Sequence, residues 1–253
     1  MKKRSLNPNF LRILVMVGPS AFWLLLFLAV PLVYVVVMSF CTRGLYGGIQ
    51  YQLSFASYKS IFSTLYLKVT WKSLLMAFET CVICLLIAYP FSWFLSRVPK
   101  RLSGILMLLV ILPFWVSALL RLNGWSNILR DSGIVNTLLM KAGIIKQPIT
   151  MMYTDGAVLF GMVYCMVPFM ILPATLPGIF AGTIQVFIPS LGAFFVADVM
   201  GGGNSVYLGN LIQNQFLVAR NWPLGAAFSV LLIVFTLVML RLYTRIGSLD
   251  DLA

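Results

Sequence analysis

Between Ile13 and Phe40 the chain runs for 28 residues without a single charge. A hydrocarbon layer ~30 Å thick is crossed by about 20 apolar helical residues. One such run therefore already settles the solvent in which this chain folds. Inside lipid a lone segment must satisfy its own backbone hydrogen bonds, and the helix is the form that does so. Lys2, Lys3, Arg4 and Arg12 precede the run, as basic residues precede a secretory leader. A leader's apolar region is only about 7–15 residues long, so an uncleaved spanning helix is expected instead.

Composition extends this from one segment to the whole chain. Of the 253 residues 61% are hydrophobic and 9% charged, with a mean hydropathy of +0.99. A soluble domain carries roughly 25% charged and 45–50% apolar residues, so this chain lacks the polar groups to cover a water-facing surface. A soluble enzyme, a DNA-binding module and a disordered tail are excluded. The expectation is an all-α polytopic membrane protein in one domain, residues 1–253. Six transmembrane helices are read at residues 14–38, 74–95, 102–120, 157–172, 178–200 and 224–243. Pro90, Pro113, Pro168 and Pro189 lie inside four of them. Each removes a backbone hydrogen bond; broken helices line many transport paths, although prolines also merely bend spans.

The chain has 18 Lys and Arg against 6 Asp and Glu, a net charge of +12. These cations lie mostly in short gaps between apolar runs, where they orient helices and meet anionic lipid; no nucleic-acid partner is implied. Four fall in the first twelve residues, three in SRVPKR at 96–101, and Arg241 and Arg245 near the C-terminus. The alternate connections are longer and more thinly basic. Both termini are thus expected to be cytoplasmic, with connections one, three and five outside. The joint of spans four and five, MILPATLPG at 170–178, breaks the pattern, for it has no Lys or Arg. Either the two spans form a very tight hairpin, or a segment is missing between residues 173 and 176.

Reactive groups are sparse. There is no histidine, the commonest general base. Cys81 and Cys84 have CxxC spacing but sit within an apolar run, and with Cys41 and Cys165 they form no disulfide or metal framework. No nucleophile with a base, metal cluster or phosphate-cradling loop is present; Gly201, Gly202 and Gly203 follow a span, without the strand such loops need.

Three blocks carry a resemblance: ILPFWVSALLRLNGW at 111–125, GIIKQPITMMYTDGAVLFGMVYCMVPFMILP at 143–173, and LPGIFAGTIQVFIPSLGAFFVADVMGG at 176–202, continuing through GNLIQNQF and NWPLGAA. From about residue 85 to 227 the chain resembles ABC-importer permeases of the spermidine/putrescine type. These belong to the type I importer (binding-protein-dependent transport system inner membrane component) class, with a MetI-like permease fold. The resemblance implies a polyamine translocation path across the inner membrane rather than an enzyme. It implies no cofactor on this chain, with ATP and Mg on two ATPase subunits. Further implied partners are a sister permease, a periplasmic or lipoprotein polyamine-binding protein, and membrane lipid. The alternatives are a permease of this family for another cationic or small organic solute, or a coupling-deficient scaffold. The second arises because the family's cytoplasmic EAA coupling loop, which docks on the ATPase, has no counterpart; ILP at 171–173 runs directly into ATLPG.

Ionisable groups at bilayer depth are costly and usually face a partner or an aqueous path. Asp198, late in span five, is the candidate to pair with a substrate ammonium; a helix-end hydrogen bond is its alternative role. Glu79 in span two is a second candidate, or pairs with Lys72 or Lys68 one or two turns earlier. Trp115, Trp125, Phe194 and Phe195 are candidate path walls through cation–π attraction, with interfacial anchoring the alternative for the tryptophans. Arg121 would repel a cation, so it is read as a binding-protein contact or a snorkelling anchor. The outer connection 123–154 places Ile128, Ile134, Val135, Leu138, Leu139 and Ile144 at helical spacing, which predicts a short amphipathic helix in the interface.

Overall fold

The computed structural model describes residues 8–171 and 176–246. The first span is a single rod in three parts: α1 (Pro8–Leu24), a π-helical turn (Leu25–Ala29) and α2 (Val30–Ser39). Pro31, with no N–H to donate, lies two residues beyond the turn, and wide turns of this kind absorb such a lost bond. A two-residue hairpin follows, β1 (Thr42–Arg43) paired antiparallel with β2 (Ile49–Gln50) in the register Thr42–Gln50 and Arg43–Ile49. Gly47 has φ +89°, and a Cβ there would lie 2.9 Å from the Cβ of Arg220. That close approach lets the Gly48 N–H donate to the Arg220 carbonyl at 2.9 Å, and the Arg43 guanidinium reaches the Ala219 carbonyl at 2.8 Å.

After α3 (Ala56–Ile61) comes α4 (Thr64–Arg97), 34 residues long. At 1.5 Å per residue it measures about 51 Å, well beyond the ~30 Å of hydrocarbon. It starts ten residues before the expected span, and Lys68 and Lys72 ride on that extension. The remaining helices are α5 (Lys100–Ile111) with a 3-10 turn (Leu112–Trp115), α6 (Ala118–Leu129), α7 (Ile134–Lys141), α8 (Asp155–Ile171), α9 (Leu176–Gly192), α10 (Phe194–Gly201), α11 (Leu208–Leu217) and α12 (Trp222–Ile246).

The core lies where α4 packs along α8 and α9, with α6 and α10 closing it and α12 lying against α2. Cys84, Leu122, Val158, Met162, Val186, Val196 and Met200 are fully or almost fully buried there. Contact between α8 and α10 is close because Gly161 has no side chain. A Cβ on Gly161 of α8 would meet Val196 Cγ1 at 2.9 Å and Met200 Cγ at 3.1 Å, the small-residue packing usual between membrane helices. Cys81 and Cys84 are buried free thiols; the first points its sulfur at the Thr183 carbonyl of α9 and the second at the Val163 carbonyl of α8.

Three helices, Met16–Ser39, Thr64–Arg97 and Trp222–Tyr243, are long and apolar enough to cross a membrane; they overlap residues 14–38, 74–95 and 224–243. The third and fifth differ from expectation. The helix expected over 102–120 stops at Trp115, and Val116 and Ser117 are extended (ψ 139° and 134°). The chain resumes in α6 at 91° to its former course. The helix expected over 178–200 breaks at Ala193 with a 62° bend. Pro113 begins the first break, whereas Pro90, Pro168 and Pro189 sit inside continuous helices. Of the fourth, α8 supplies 17 residues. The proposed deletion between 173 and 176 falls outside the described residues. Connection 123–154 holds the end of α6 and the short α7.

Candidate functional site

The break at Ala193 builds the site. Gly209 of α11 lies directly on it: a Cβ there would meet the Gly192 carbonyl oxygen at 2.9 Å and the Phe194 nitrogen at 3.0 Å. With no side chain in the way, α11 seats against α10 and the two short helices run beside one another. Phe194 and Asp198, four residues apart on α10, share one face, and Gln213 of α11 borders both. Asp198 is exposed and lines a groove of about 310 Å³ with Val206, Asn210, Gln213, Asn214 and Leu217. Phe194, 40% exposed, lines an adjoining apolar groove of about 430 Å³ with Gln213 and Phe216. Among the described residues the Asp198 carboxylate has no hydrogen bond or ion pair, and no Lys or Arg lines its groove. This is a carboxylate facing open space in a groove bordered by the amide residues Gln213 and Asn214, an arrangement that accepts hydrogen bonds from a cation.

Beyond Asp198 the chain turns back at Gly202, whose φ of +55° and close approach to the Tyr153 ring leave no place for a side chain. The returning residues 205–207 run into α11. Tyr207 is extended (φ −123°, ψ 170°), so successive side chains leave this short run on opposite sides. Val206 faces the Asp198 groove. Ser205 and Tyr207 face the other way, and their hydroxyls donate to Asp155 Oδ1 at 2.6 and 2.7 Å. Lys72 Nζ of α4 reaches the same oxygen at 2.8 Å and lies 5.0 Å from the centroid of the Tyr207 ring. The run is anchored from behind, because Asn210 accepts from the Tyr207 N–H and donates to the Ser205 carbonyl, and the Leu208 N–H donates to Ser73 Oγ. Burial alone would raise the Asp155 carboxyl, but hydrogen bonds from Lys72, Ser205 and Tyr207 outweigh it and hold the group below its ordinary range. Burial, and then the bond to Asp155, push the Tyr207 hydroxyl up.

This cluster corrects one expectation. Glu79 pairs with neither Lys72 nor Lys68; it is exposed, and Lys72 is taken by Asp155, which α8 presents beside the α4 extension. Asp155, Ser205 and Tyr207 were not among the residues singled out from sequence. The available signal was TDGA at 154–157, a helix-start pattern in which Thr154 Oγ1 accepts from the Ala157 N–H at 3.1 Å.

The other candidates lie elsewhere. Trp115 is 87% exposed at the first helix break. Trp125 packs edge-on against Phe160 and Tyr164, with centroids 4.9 and 5.7 Å apart, and lines an apolar cleft of about 610 Å³ with Phe114, Phe160 and Tyr164. Phe195 points into the core, its ring perpendicular to that of Phe194. Arg121 does not reach outward. Its guanidinium lies 4.2 Å from the centroid of Phe114 and 5.4 Å from that of Tyr164, and Nε and Nη1 are buried without a hydrogen-bond acceptor.

No family model matches the chain. It is 35% identical over 277 positions to the spermidine/putrescine transport system permease protein PotB of Haemophilus influenzae, covering 96% of each chain. To PotB of Escherichia coli it is 34% identical over 260 positions, covering 90% of this chain and 94% of the relative. Since the alignment of 277 positions is longer than the 253 residues present, at least 24 of them are residues of the H. influenzae relative with no counterpart here. Two solved structures share the fold: a bacterial ABC transporter importing the acidic polysaccharide alginate (TM-score 0.71, 16% identity, 95% of this chain and 97% of that one), and a bacterial alginate ABC transporter in complex with an alginate pentasaccharide-bound periplasmic protein (TM-score 0.73, 15% identity, 95% of both).

Proposed function

Because the chain belongs to the family of spermidine/putrescine permeases of ABC importers, we propose that it lines a path through which polyamines enter the cell, with the Asp198 groove as a contact for their ammonium groups. The observation that carries this is the unpaired Asp198 carboxylate, set among amides in a groove free of cations and sharing its face of α10 with Phe194. A polyamine is a flexible chain of ammonium groups and methylenes. A carboxylate takes the first and an aromatic face takes either. Break and groove belong together, since discontinuous membrane helices commonly flank transport sites.

The remaining parts of the reading follow from the family. A sister permease completes the path, a periplasmic or lipoprotein binding protein delivers the substrate, and two ATPase subunits bind ATP with Mg and hydrolyse it. Both termini lie in the cytoplasm, which puts the Asp198 groove toward the outside. Closure of the ATPases rocks the two permeases between outward- and inward-facing states. This chain lacks the docking loop between spans four and five; the four residues separating α8 from α9 and the length of the H. influenzae match support that reading.

The test is uptake of labelled spermidine by cells carrying the whole transporter with this chain or its Asp198→Asn variant, competed with putrescine and with uncharged solutes. A charge-assisted hydrogen bond is worth about 1.5–3 kcal/mol, so the variant is expected to raise KM at least tenfold at unchanged membrane abundance. Unchanged uptake removes Asp198 from the path, and competition by uncharged solutes alone overturns the polyamine assignment.

A further inference from the structure

Resting on that reading, we propose that Asp155 is a second ammonium site of the path, and that Lys72 is its resident ammonium, displaced when a primary ammonium of the substrate arrives. The end of a putrescine or spermidine molecule is chemically the end of a lysine side chain: a methylene bearing –NH₃⁺. A place for that group is already built here. Lys72 Nζ sits 2.8 Å from Asp155 Oδ1 and over the face of Tyr207 at 5.0 Å, which is carboxylate and cation–π recognition of one alkylammonium.

Three features make the site exchangeable rather than a fixed clasp. Its floor is buried and its mouth is open: Ser205 and Tyr207 are 3% and 4% exposed, whereas Lys72 and Asp155 are 40% and 53% exposed. The three donors converge on Oδ1, and among the described residues Oδ2 carries no partner. An incoming ammonium therefore binds Oδ2 before Lys72 lets go, so the carboxylate is never left bare. Finally, an ion pair this exposed adds little net stability, so its loss on exchange is easily offset by the substrate's own pairing.

Position ties the site to the path. Residues 205–207 form a thin partition with Asp198 and Val206 on one side and Asp155 on the other. A flexible polycation leaving one carboxylate meets the other across that partition. The displaced Lys72 cation then repels the next substrate until the first has moved on.

The experiment measures KM and maximal rate of labelled spermidine uptake in cells carrying the complete transporter, with membrane abundance of this chain as control. Asp155→Asn is expected to raise KM five- to tenfold. Lys72→Gln removes the competitor and is expected to lower KM severalfold. A purely structural ion pair would make both variants change the same way, in abundance or maximal rate, with KM unmoved; that result overturns the proposal. If either variant fails to reach the membrane, Tyr207→Phe decides. It keeps the ring and removes the O–H bond to Asp155, so KM rises severalfold, and an unchanged KM overturns the proposal. Wild-type uptake with unmoved variants defeats this inference alone, whereas no spermidine uptake by the wild-type chain, nor by the chain given a docking segment between Pro173 and Leu176, defeats the functional reading on which it rests.

Discussion

Arg121 carries a permanent charge into a wall of aromatic rings, and the chemistry of its head group decides whether that is tolerable. A guanidinium is planar and weakly hydrated, so it stacks on Phe114 and Tyr164 where an ammonium would keep its water. With Nε and Nη1 lacking acceptors, the charge itself adds little, and the stacking, about 0.5–2 kcal/mol, is what a substitution removes. Arg121→Lys is therefore expected to lower the thermal stability of the purified protein in detergent more than Arg121→Met, which fills the same space without a charge to desolvate. The reverse order would show that an acceptor for the guanidinium exists in the assembled membrane. Sequence reveals that Arg121 stands at a span end; it does not reveal whether the side chain reaches out or folds back, since Phe114 and Tyr164 come from two other segments. Asp155 was illegible for the same reason. Its partners lie 83, 50 and 52 positions away in the chain, and only tertiary packing brings them together. Asp198 was legible because a carboxylate in an apolar run is costly wherever the run goes.

At the scale of elements, hydropathy reports how much apolar surface a segment carries and says nothing about its direction. The segments expected as the third and fifth spans are apolar, yet each is two helices, bent by 91° and 62°. The break at Val116 and Ser117 follows Pro113, whose ring disfavours continued helix; the break at Ala193 has no proline at it and depends on Gly209 lying against the exposed backbone. Gly192 ends α9 at the second break, but a glycine does not fix the direction of the chain beyond it, and the contact with Gly209 that accompanies the bend is made seventeen residues later. Helix pairing gives a sharper test. At Gly161 the nearest atoms to an added methyl belong to Val196, Met200 and Leu122, at 2.9, 3.1 and 3.3 Å, all buried and with no room to retreat. At Gly104 in α5 nothing lies within 4 Å. Gly161→Ala is expected to destabilise by about 1–3 kcal/mol through overpacking, while Gly104→Ala stabilises by roughly 0.5–1 kcal/mol because alanine loses less backbone entropy. Thermal unfolding in detergent reads both. Equal shifts of one sign would mean that α8 and α10 do not pack closely.

For the whole molecule the question is how motion reaches the path. On the reading proposed above, a rocking bundle needs a rigid handle for the ATPases, and the resemblance implies that it is a loop between spans four and five. Here α8 ends at Ile171 and α9 starts at Leu176. Four intervening residues reach at most about 14 Å when fully extended, too few for a docking helix and its two connections. The same joint lacks the Lys and Arg that the connection at 96–101 carries; charge and length thus agree, and each was visible in the sequence alone. The SRVPKR turn at 96–101 offers positive charge but no groove-filling helix. The chain as it stands is therefore expected to assemble with its sister permease and hold the ATPase subunits weakly. Detergent-solubilised complexes, captured through a tag on this chain, should return the ATPase well below one copy per permease. Inserting a docking segment of about 24 residues between Pro173 and Leu176 should raise capture to stoichiometry and, together with it, the maximal rate of spermidine-stimulated ATP hydrolysis. Stoichiometric capture by the unaltered chain would place the ATPase contact elsewhere on the cytoplasmic face, with the 96–101 turn the first surface to mutate.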